Sequence, residues 1–286
     1  MSRRGFALLA VLWVLTALSV LGAVALAVAR TGSQTTRNRI LLTRAGWARE
    51  ACVDILLARY AQNPRVRALD PIDLGRGTWC RATLEDPAAK LNLNLATREQ
   101  LVTVLTIVCR RSVAAVDSLA DALLDYRDPD TIPRSFGAET EANRNGPLAA
   151  VAELAYIRGF DSSLVDRLTP ILTTRGTGVI NINAAPPEVL ATLPGMTQEA
   201  MLVLLGGRVS GQPIQNADQL VAHLSKSARS VLLADYPEFV RAATFAPAQL
   251  VANVEGGVRG TPIVARATLT LVPVPDRLAV IRRETE

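Results

Sequence analysis

The chain has 286 residues, of which 49% are hydrophobic but only 4% aromatic, so its core must be built from Leu, Val, Ile and Ala. The formal charge of +5 comes almost wholly from arginine, since Lys90 and Lys226 are the only lysines. No basic run exceeds two residues, which argues for a solvated arginine-biased surface over a nucleic-acid or anionic-lipid patch. One histidine, His223, with no cysteine or serine constellation around it, leaves histidine-based catalysis without support. Cys52, Cys80 and Cys109 contain no C-x-x-C pair, which excludes the usual zinc frameworks. Should one pair close in an oxidising compartment, Cys80 with Cys109 is favoured, because Cys52 falls on a core-facing helical position.

From Phe6 to Ala29 the chain is uncharged and apolar, broken only by Thr16, Ser19 and Gly22. As a helix this run is roughly 36 Å long, enough to cross a bilayer core with some tilt. Three readings fit it. Ala27-Val28-Ala29 satisfies the small-x-small rule of a secretory signal, and the length fits a plain single-pass anchor. The order Arg3-Arg4-Gly5-Phe6 directly before the helix resembles a class III, type IV prepilin-like leader. That resemblance implies cleavage between Gly5 and Phe6, N-methylation of Phe6, and retention of the helix as the packing element of a fibre. Most such proteins carry a glutamate at the fifth position after the cut, where this chain has Ala10. Topology signals conflict: Arg30, Arg37, Arg39, Arg44 and Arg49 would hold the body in the cytoplasm by charge, whereas the leader puts it outside.

Beyond Arg30 the helical period continues through Leu41, Ala45, Ala48, Cys52 and Leu56, and Asn63-Pro64 ends it. Strands are predicted over Thr78–Leu84, Phe239–Thr244, Thr261–Val272 and Arg277–Arg282; Arg266–Leu271 alternates polar and apolar as a half-buried antiparallel strand does. The intervening chain has a helical pattern with an internal repeat. Leu91-Asn92-Leu93-Asn94 recurs 89 residues later as Ile180-Asn181-Ile182-Asn183, each followed by a small residue, a glutamate and a leucine. The second Asn of each copy is expected to cap the next helix, with Pro186 and Pro187 in its first turn. Leu193-Pro194-Gly195-Met196-Thr197, with Arg208, Ile214, Asp218 and Leu220, resembles a helix-hairpin-helix whose second glycine is replaced by Thr197. Packing is the favoured use of such a degenerate turn. Asp125, Asp128 and Asp130, in a proline-stiffened loop leading to Gly137-Ala138-Glu139 and Glu141, offer hard oxygens suited to calcium. The alternative is an acidic turn that caps helices and pairs with Arg127 or Arg134.

Together the anchor, Lys90–Asn94, Asp125–Asp130 with Gly137–Glu139, and Gly178–Pro187 resemble the K-type minor pseudopilin (GspK) family of type II secretion, in order along nearly the whole chain. The resemblance implies an α+β pseudopilin fold: a long N-terminal transmembrane helix packed on an antiparallel sheet, with a large α-helical domain inserted into the sheet region. The expected boundaries are a leader at 1–5, a helix at 6–62 with 6–29 in the membrane, the first part of the β domain at 63–93, the insert at 94–236, and the remaining strands at 237–286. It further implies a non-catalytic place at the tip of a periplasmic pseudopilus anchored in the bacterial inner membrane. The implied partners are the I- and J-type minor pseudopilins, the major pseudopilin, the prepilin peptidase and the secretion machinery, with no nucleic acid. Calcium is implied at Asp125, Asp128, Asp130 and Glu139. The runner-up is a membrane-anchored DNA receptor that uses the hairpin and Arg208.

Overall fold

The computed structural model describes residues 3–140, 143–275 and 277–285, with side chains described from Val11 onward apart from the masked positions. Met1, Ser2 and Glu141 lie outside them. At Gly5, Phe6 and Ala10 only the backbone is described, and it is helical.

Helix α1 runs unbroken from Arg3 to Gln62. No proline interrupts it, and its hydroxyl groups donate to the preceding turn: Thr16 to the Trp13 carbonyl at 2.9 Å and Ser19 to the Leu15 carbonyl at 2.8 Å. Such back-bonding satisfies polar side chains where no water is at hand. From Val11 to Ile40 every residue is exposed; from Leu41 one stripe, Ala45, Ala48, Cys52 and Leu56, is buried. This is the one described helix long and apolar enough to cross a membrane. It ends where Asn63 Oδ1 accepts the Arg65 amide at 3.0 Å, one residue after which Pro64 has already removed a donor.

In chain order there follow strands β1 (Ala68–Gly75), β2 (Thr78–Glu85) and the two-residue β3 (Leu91–Asn92). Helices α2 (Arg98–Cys109), α3 (Val113–Arg127) and α4 (Ser162–Leu168) come next, then β4 (Leu172–Thr173) and β5 (Ile180–Asn181). Helices α5 (Pro187–Leu190), α6 (Gln198–Val209), α7 (Ala217–His223), α8 (Lys226–Ala234) and α9 (Tyr236–Ala242) lead to β6 (Ala243–Thr244). The chain closes with β7 (Leu250–Val258), β8 (Val264–Val274) and β9 (Arg277–Thr285). A five-stranded sheet has the order β1-β2-β7-β8-β9, with β1 and β2 antiparallel. Two small parallel pairs, β3 with β4 and β5 with β6, stand apart from it.

The chain divides into two compact units. One holds the chain up to Thr83, Asn253–Leu269 and the stretch from Arg283; the other holds Leu84–Ala252 and Thr270–Arg282. In the first unit the buried stripe of α1 lies on the sheet so closely that only glycine fits beneath it. A Cβ on Gly256 would stand 2.2 Å from the Arg49 amide nitrogen and 2.6 Å from the Ala45 carbonyl oxygen, both backbone atoms that cannot swing aside. On the outer side of this unit Glu255 lies between Arg81 at 2.7 Å and Arg266 at 3.1 Å, and these guanidinium groups hold its carboxyl below the ordinary value. The second unit has a mostly aliphatic core that includes Leu91, Leu123, Leu164, Ile180 and Leu190, with Phe239 among the few aromatic residues.

Three strand expectations change. β1 and β7 were not anticipated, because Asp70-Pro71 and the Gly256-Gly257 pair disguise their alternation. Phe239–Ala242 is helical, and only Ala243–Thr244 is extended. Pro237 in the first turn fixes a helical φ, and the fully buried Phe239 fills the core from a helix face. A short apolar run of this kind carries no period that separates helix from strand. The helical unit also begins earlier than residue 94 and extends past residue 236.

Gly256→Ala should destabilise the sheet-bearing unit by about 3 kcal/mol, as overpacking against a rigid backbone does, read as a lowered unfolding midpoint of the detergent-solubilised chain. Glu255 contributes stability that is present above the unfolded carboxylate value of 4.5 and lost as pH falls below it toward the depressed folded value. Glu255→Gln should therefore flatten the acid limb of the stability profile, measured by urea unfolding across that range.

Candidate functional site

The helical unit is built twice on the same plan. In each copy the first Asn accepts the amide two residues on: Asn92 from Asn94 at 2.9 Å and Asn181 from Asn183 at 3.0 Å. The second Asn does not cap the following helix as its position suggests. It clasps a distant backbone in both directions. Asn94 accepts the Leu148 amide at 2.8 Å and donates to the Leu148 carbonyl at 2.9 Å; Asn183 accepts from Ile214 at 3.2 Å and donates to its carbonyl at 2.7 Å. Helix capping passes instead to Thr97, in a capping box with Gln100, while α5 starts at Pro186-Pro187 without a side-chain cap.

An arginine at the end of the second helix of each copy completes the pattern. Arg127 donates to the carbonyls of Leu93 and, at 2.6 Å, Ala96; Arg208 donates to those of Ile182 at 2.6 Å and Ala185 at 2.7 Å. Burial lowers the pKa of both guanidinium groups, and each neutralises carbonyls that no helix or strand would otherwise satisfy. Further on, Glu153 accepts the Ala149 amide at 2.8 Å as Gln219 accepts the Gln215 amide at 2.7 Å. Each copy then returns a strand parallel to its first, Leu91 beside Leu172 and Ile180 beside Ala243.

The hairpin at Leu193–Thr197 is a packing element. Gly195, with φ of +66°, has the Leu232 Cα 3.0 Å from where a Cβ would stand, and Thr197 caps α6 through the Ala200 amide. Arg208, the cation a DNA-binding reading needs, is spent on the two buried carbonyls. The DNA-receptor alternative is therefore not supported.

The copies differ most between arginine and clasp. Residues 209–213 span this gap in the second copy and residues 128–147 in the first, and the acidic loop is that extra length. One face of α3 grips it. Ser118 Oγ donates to the Phe136 carbonyl at 3.0 Å, Asp121 Oδ2 accepts the Phe136 amide at 3.3 Å, and Asp125 accepts the Arg134 amide at 3.2 Å. Asp125 is fully buried, and burial pushes its carboxyl up while the Arg134 amide opposes that rise. Gly137 rests on it so tightly that a Cβ there would lie 1.9 Å from Asp125 Oδ2. Asp125 thus belongs to the loop's internal support. Asp121 also pairs with Arg98 at 2.6 Å. Ser118 and Asp121 were not singled out from sequence, though polar residues at 118, 121 and 125 on an apolar helix trace one stripe and were there to be noticed.

Of the four acidic residues proposed from sequence, the structure brings three together. Carboxylate oxygens of Asp128, Asp130 and Glu139 lie within 4.8 Å of one another. Arg134 pairs with Asp128 at 3.0 Å and with Asp125 at 3.4 Å, so the expected pairing with Arg134 forms, whereas Arg127 serves the repeat. Asp128 Oδ1, Glu139 Oε1 and, in the same loop, Asn145 Oδ1 are buried and meet no hydrogen-bond donor among the described residues. Buried acceptor oxygens left unpaired are costly, and a hard cation satisfies such a set. The three cysteines are buried free thiols. Cys80 lies in the sheet-bearing unit in contact with Cys52, and Cys109 is in the helical unit, so the favoured pair is not the one brought together.

A long helix, apolar at the front and one-faced behind, laid on an antiparallel sheet, with a further helical unit, defines a pseudopilin-like α+β architecture. Residues 84–176 match the family model described as "Type II secretion system (T2SS), protein K". The fold is similar to a chain in the crystal structure of the GspK-GspI-GspJ complex from the enterotoxigenic Escherichia coli type 2 secretion system. That likeness has a TM-score of 0.60 at 18% identity, covering 90% of this chain and 99% of that one. No curated protein matches the chain. Residues 84–176 thus match a type II secretion protein K domain, within a chain whose fold is like that of the GspK-complex structure and whose first helix is long and apolar enough to be a single-pass membrane anchor.

Arg127→Met should strand the Leu93 and Ala96 carbonyls and cost about 2–4 kcal/mol, read as a fall in the urea midpoint of the helical unit. Arg208→Met should act alike on the second copy.

Proposed function

We propose that this chain caps the tip of a periplasmic pseudopilus and helps to start its assembly. The observation that carries this reading is the protein K match across the first helical copy, joined to an exposed apolar helical stretch from Val11 to Ala29 that needs a non-aqueous partner. Before assembly that helix holds the subunit in the inner membrane with the body in the periplasm. A prepilin peptidase cuts between Gly5 and Phe6, and Phe6 becomes the methylated terminus. Ala10 then offers no carboxylate to the terminal amine of a subunit above, as befits a subunit with nothing above it. The partners are I- and J-type minor pseudopilins, as in the complex named for the similar structure.

The test is chemical. Protein recovered from membranes should begin at methylated Phe6, and Gly5→Val should leave the leader attached and stop secretion. Site-specific crosslinkers along α1 should capture I- and J-type subunits. Recovery of an intact Met1 on a secretion-competent protein would overturn the proposal.

Calcium is proposed at Asp128, Asp130 and Glu139, with the unpaired Asn145 Oδ1 of the same loop as a candidate neutral oxygen and Asp125 as internal support. Bound there, the ion would neutralise the clustered carboxylates; the residues' own part is to present unpaired oxygens from a loop pinned to α3. Calcium at a hundred times its dissociation constant should stabilise the helical unit by about 2.7 kcal/mol. Glu139→Gln and Asp130→Asn should remove that increment, measured by melting with calcium and with chelator.

A further inference from the structure

Cys52 and Cys80 share a place that no part of the fold's architecture requires to be sulfur. Cys52 continues the buried stripe of α1 one turn beyond Ala48, and Cys80 is an inward residue of β2, paired across β1 with Ile72. Both are completely shielded from solvent. Their side chains are in hydrogen-bonding contact, thiol to thiol. The approach is set by backbone on backbone, since α1 rests directly on Gly256 of the neighbouring strand. Cys109 lies in the helical unit and has no sulfur partner among the described residues.

We propose that Cys52 and Cys80 close into a structural disulfide that staples the helix to the sheet of the head. The proposal rests on the periplasmic reading, because only an oxidising compartment keeps such a bond. The oxidant is a thiol oxidoreductase in its disulfide form. One cysteine, as thiolate, attacks the oxidant's disulfide and releases one of its thiols; the second cysteine then attacks the mixed disulfide. One S–S bond forms in the protein, one breaks in the oxidant, two electrons pass to it, and two protons leave the cysteines. Burial raises both thiols, so the exchange belongs to the folding chain, before α1 settles on the sheet. The loop closed, residues 53–79, is long enough for the staple to raise the midpoint of the head by about 10 °C.

The test uses the full chain purified from membranes in detergent, alkylated in denaturant before and after reduction. One reactive thiol, Cys109, is expected before reduction and three after it, with the peptides of Cys52 and Cys80 joined in the unreduced digest. Cys52→Ser and Cys80→Ser should each free the other thiol and lower the midpoint alike, the double variant no further; Cys109→Ser should leave the bond intact. The chain refolded from urea with a glutathione redox pair should form the same bond. Three free thiols both in cells and after that refolding would overturn the proposal. Closure on refolding with three free thiols in cells supports the pair and counts instead against the periplasmic location.

Discussion

Two residues of parallel strand cannot hold a fold together, yet each half of the helical unit is organised around such a pair. A parallel ladder cannot be closed by a tight turn; it needs a long crossover, here supplied by helices, and each ladder joins only two pairs of residues. The asparagines make up the shortfall. One carboxamide orders the corner leaving the strand, and the next grips both backbone groups of a residue in the middle of the crossover. The arginine takes the remaining carbonyls. Apart from the Asn181 amide, which donates to the Asp86 carboxylate at 2.7 Å, these partners are backbone, so the scheme constrains chain path and leaves most packed side chains free to differ between copies. That explains how two halves with little else in common share a plan.

Because both ends of the gap between arginine and clasp are fixed, its length is nearly free. Loop closure costs grow only slowly with length when the ends are already held, so an insertion there is thermodynamically mild. The first copy uses that freedom for residues 128–147. What would otherwise be a loose excursion is tied back to α3 by Ser118, Asp121 and Asp125, and Gly137 is obligatory where the loop crosses the Asp125 carboxylate. The unpaired oxygens of Asp128, Glu139 and Asn145 are then held within an ordered frame, which is the difference between a candidate ligand set and a solvated acidic turn.

The anchor, the single long helix and the duplication were legible because each leaves a linear trace: hydropathy for the first, period for the second, repeated Asn spacing for the third. What the Asn residues do was not legible. Their partners, Leu148 and Ile214, are ordinary aliphatic residues whose contribution is a backbone amide and carbonyl, and these have no sequence signature. Arg208 shows the same blindness from the other side: a cation near a Leu-Pro-Gly turn suggests phosphate until the carbonyls it caps are known. At the acidic loop the residue types were right, but burial separates them. Asp125 is fully enclosed on α3, whereas Asp128 and Glu139 are half-buried and Asp130 is exposed at the cluster. The cysteine pair turned on which helix face meets which strand, a long-range fact that spacing could not supply.

The front half of α1 sets the energetics of whatever assembly the chain joins. Side chains such as Trp13, Leu15 and Leu21 are more than half exposed and find no cover within the described residues. In a bilayer they need none, because lipid tails are as apolar as another helix and helix association there draws on packing alone. The hydrophobic cost arises when the helix leaves the membrane. At about 2 kcal/mol for each large side chain exposed to water, ten such residues amount to roughly 20 kcal/mol, more than the stability of an ordinary domain. A subunit on the pseudopilus reading can therefore be drawn out only into a fibre that replaces lipid by neighbouring apolar helices, side chain for side chain. Ala10 fits that economy: a carboxylate at this depth is tolerable only beside a partner's amine, and a subunit with no neighbour above it would carry the charge unpaired.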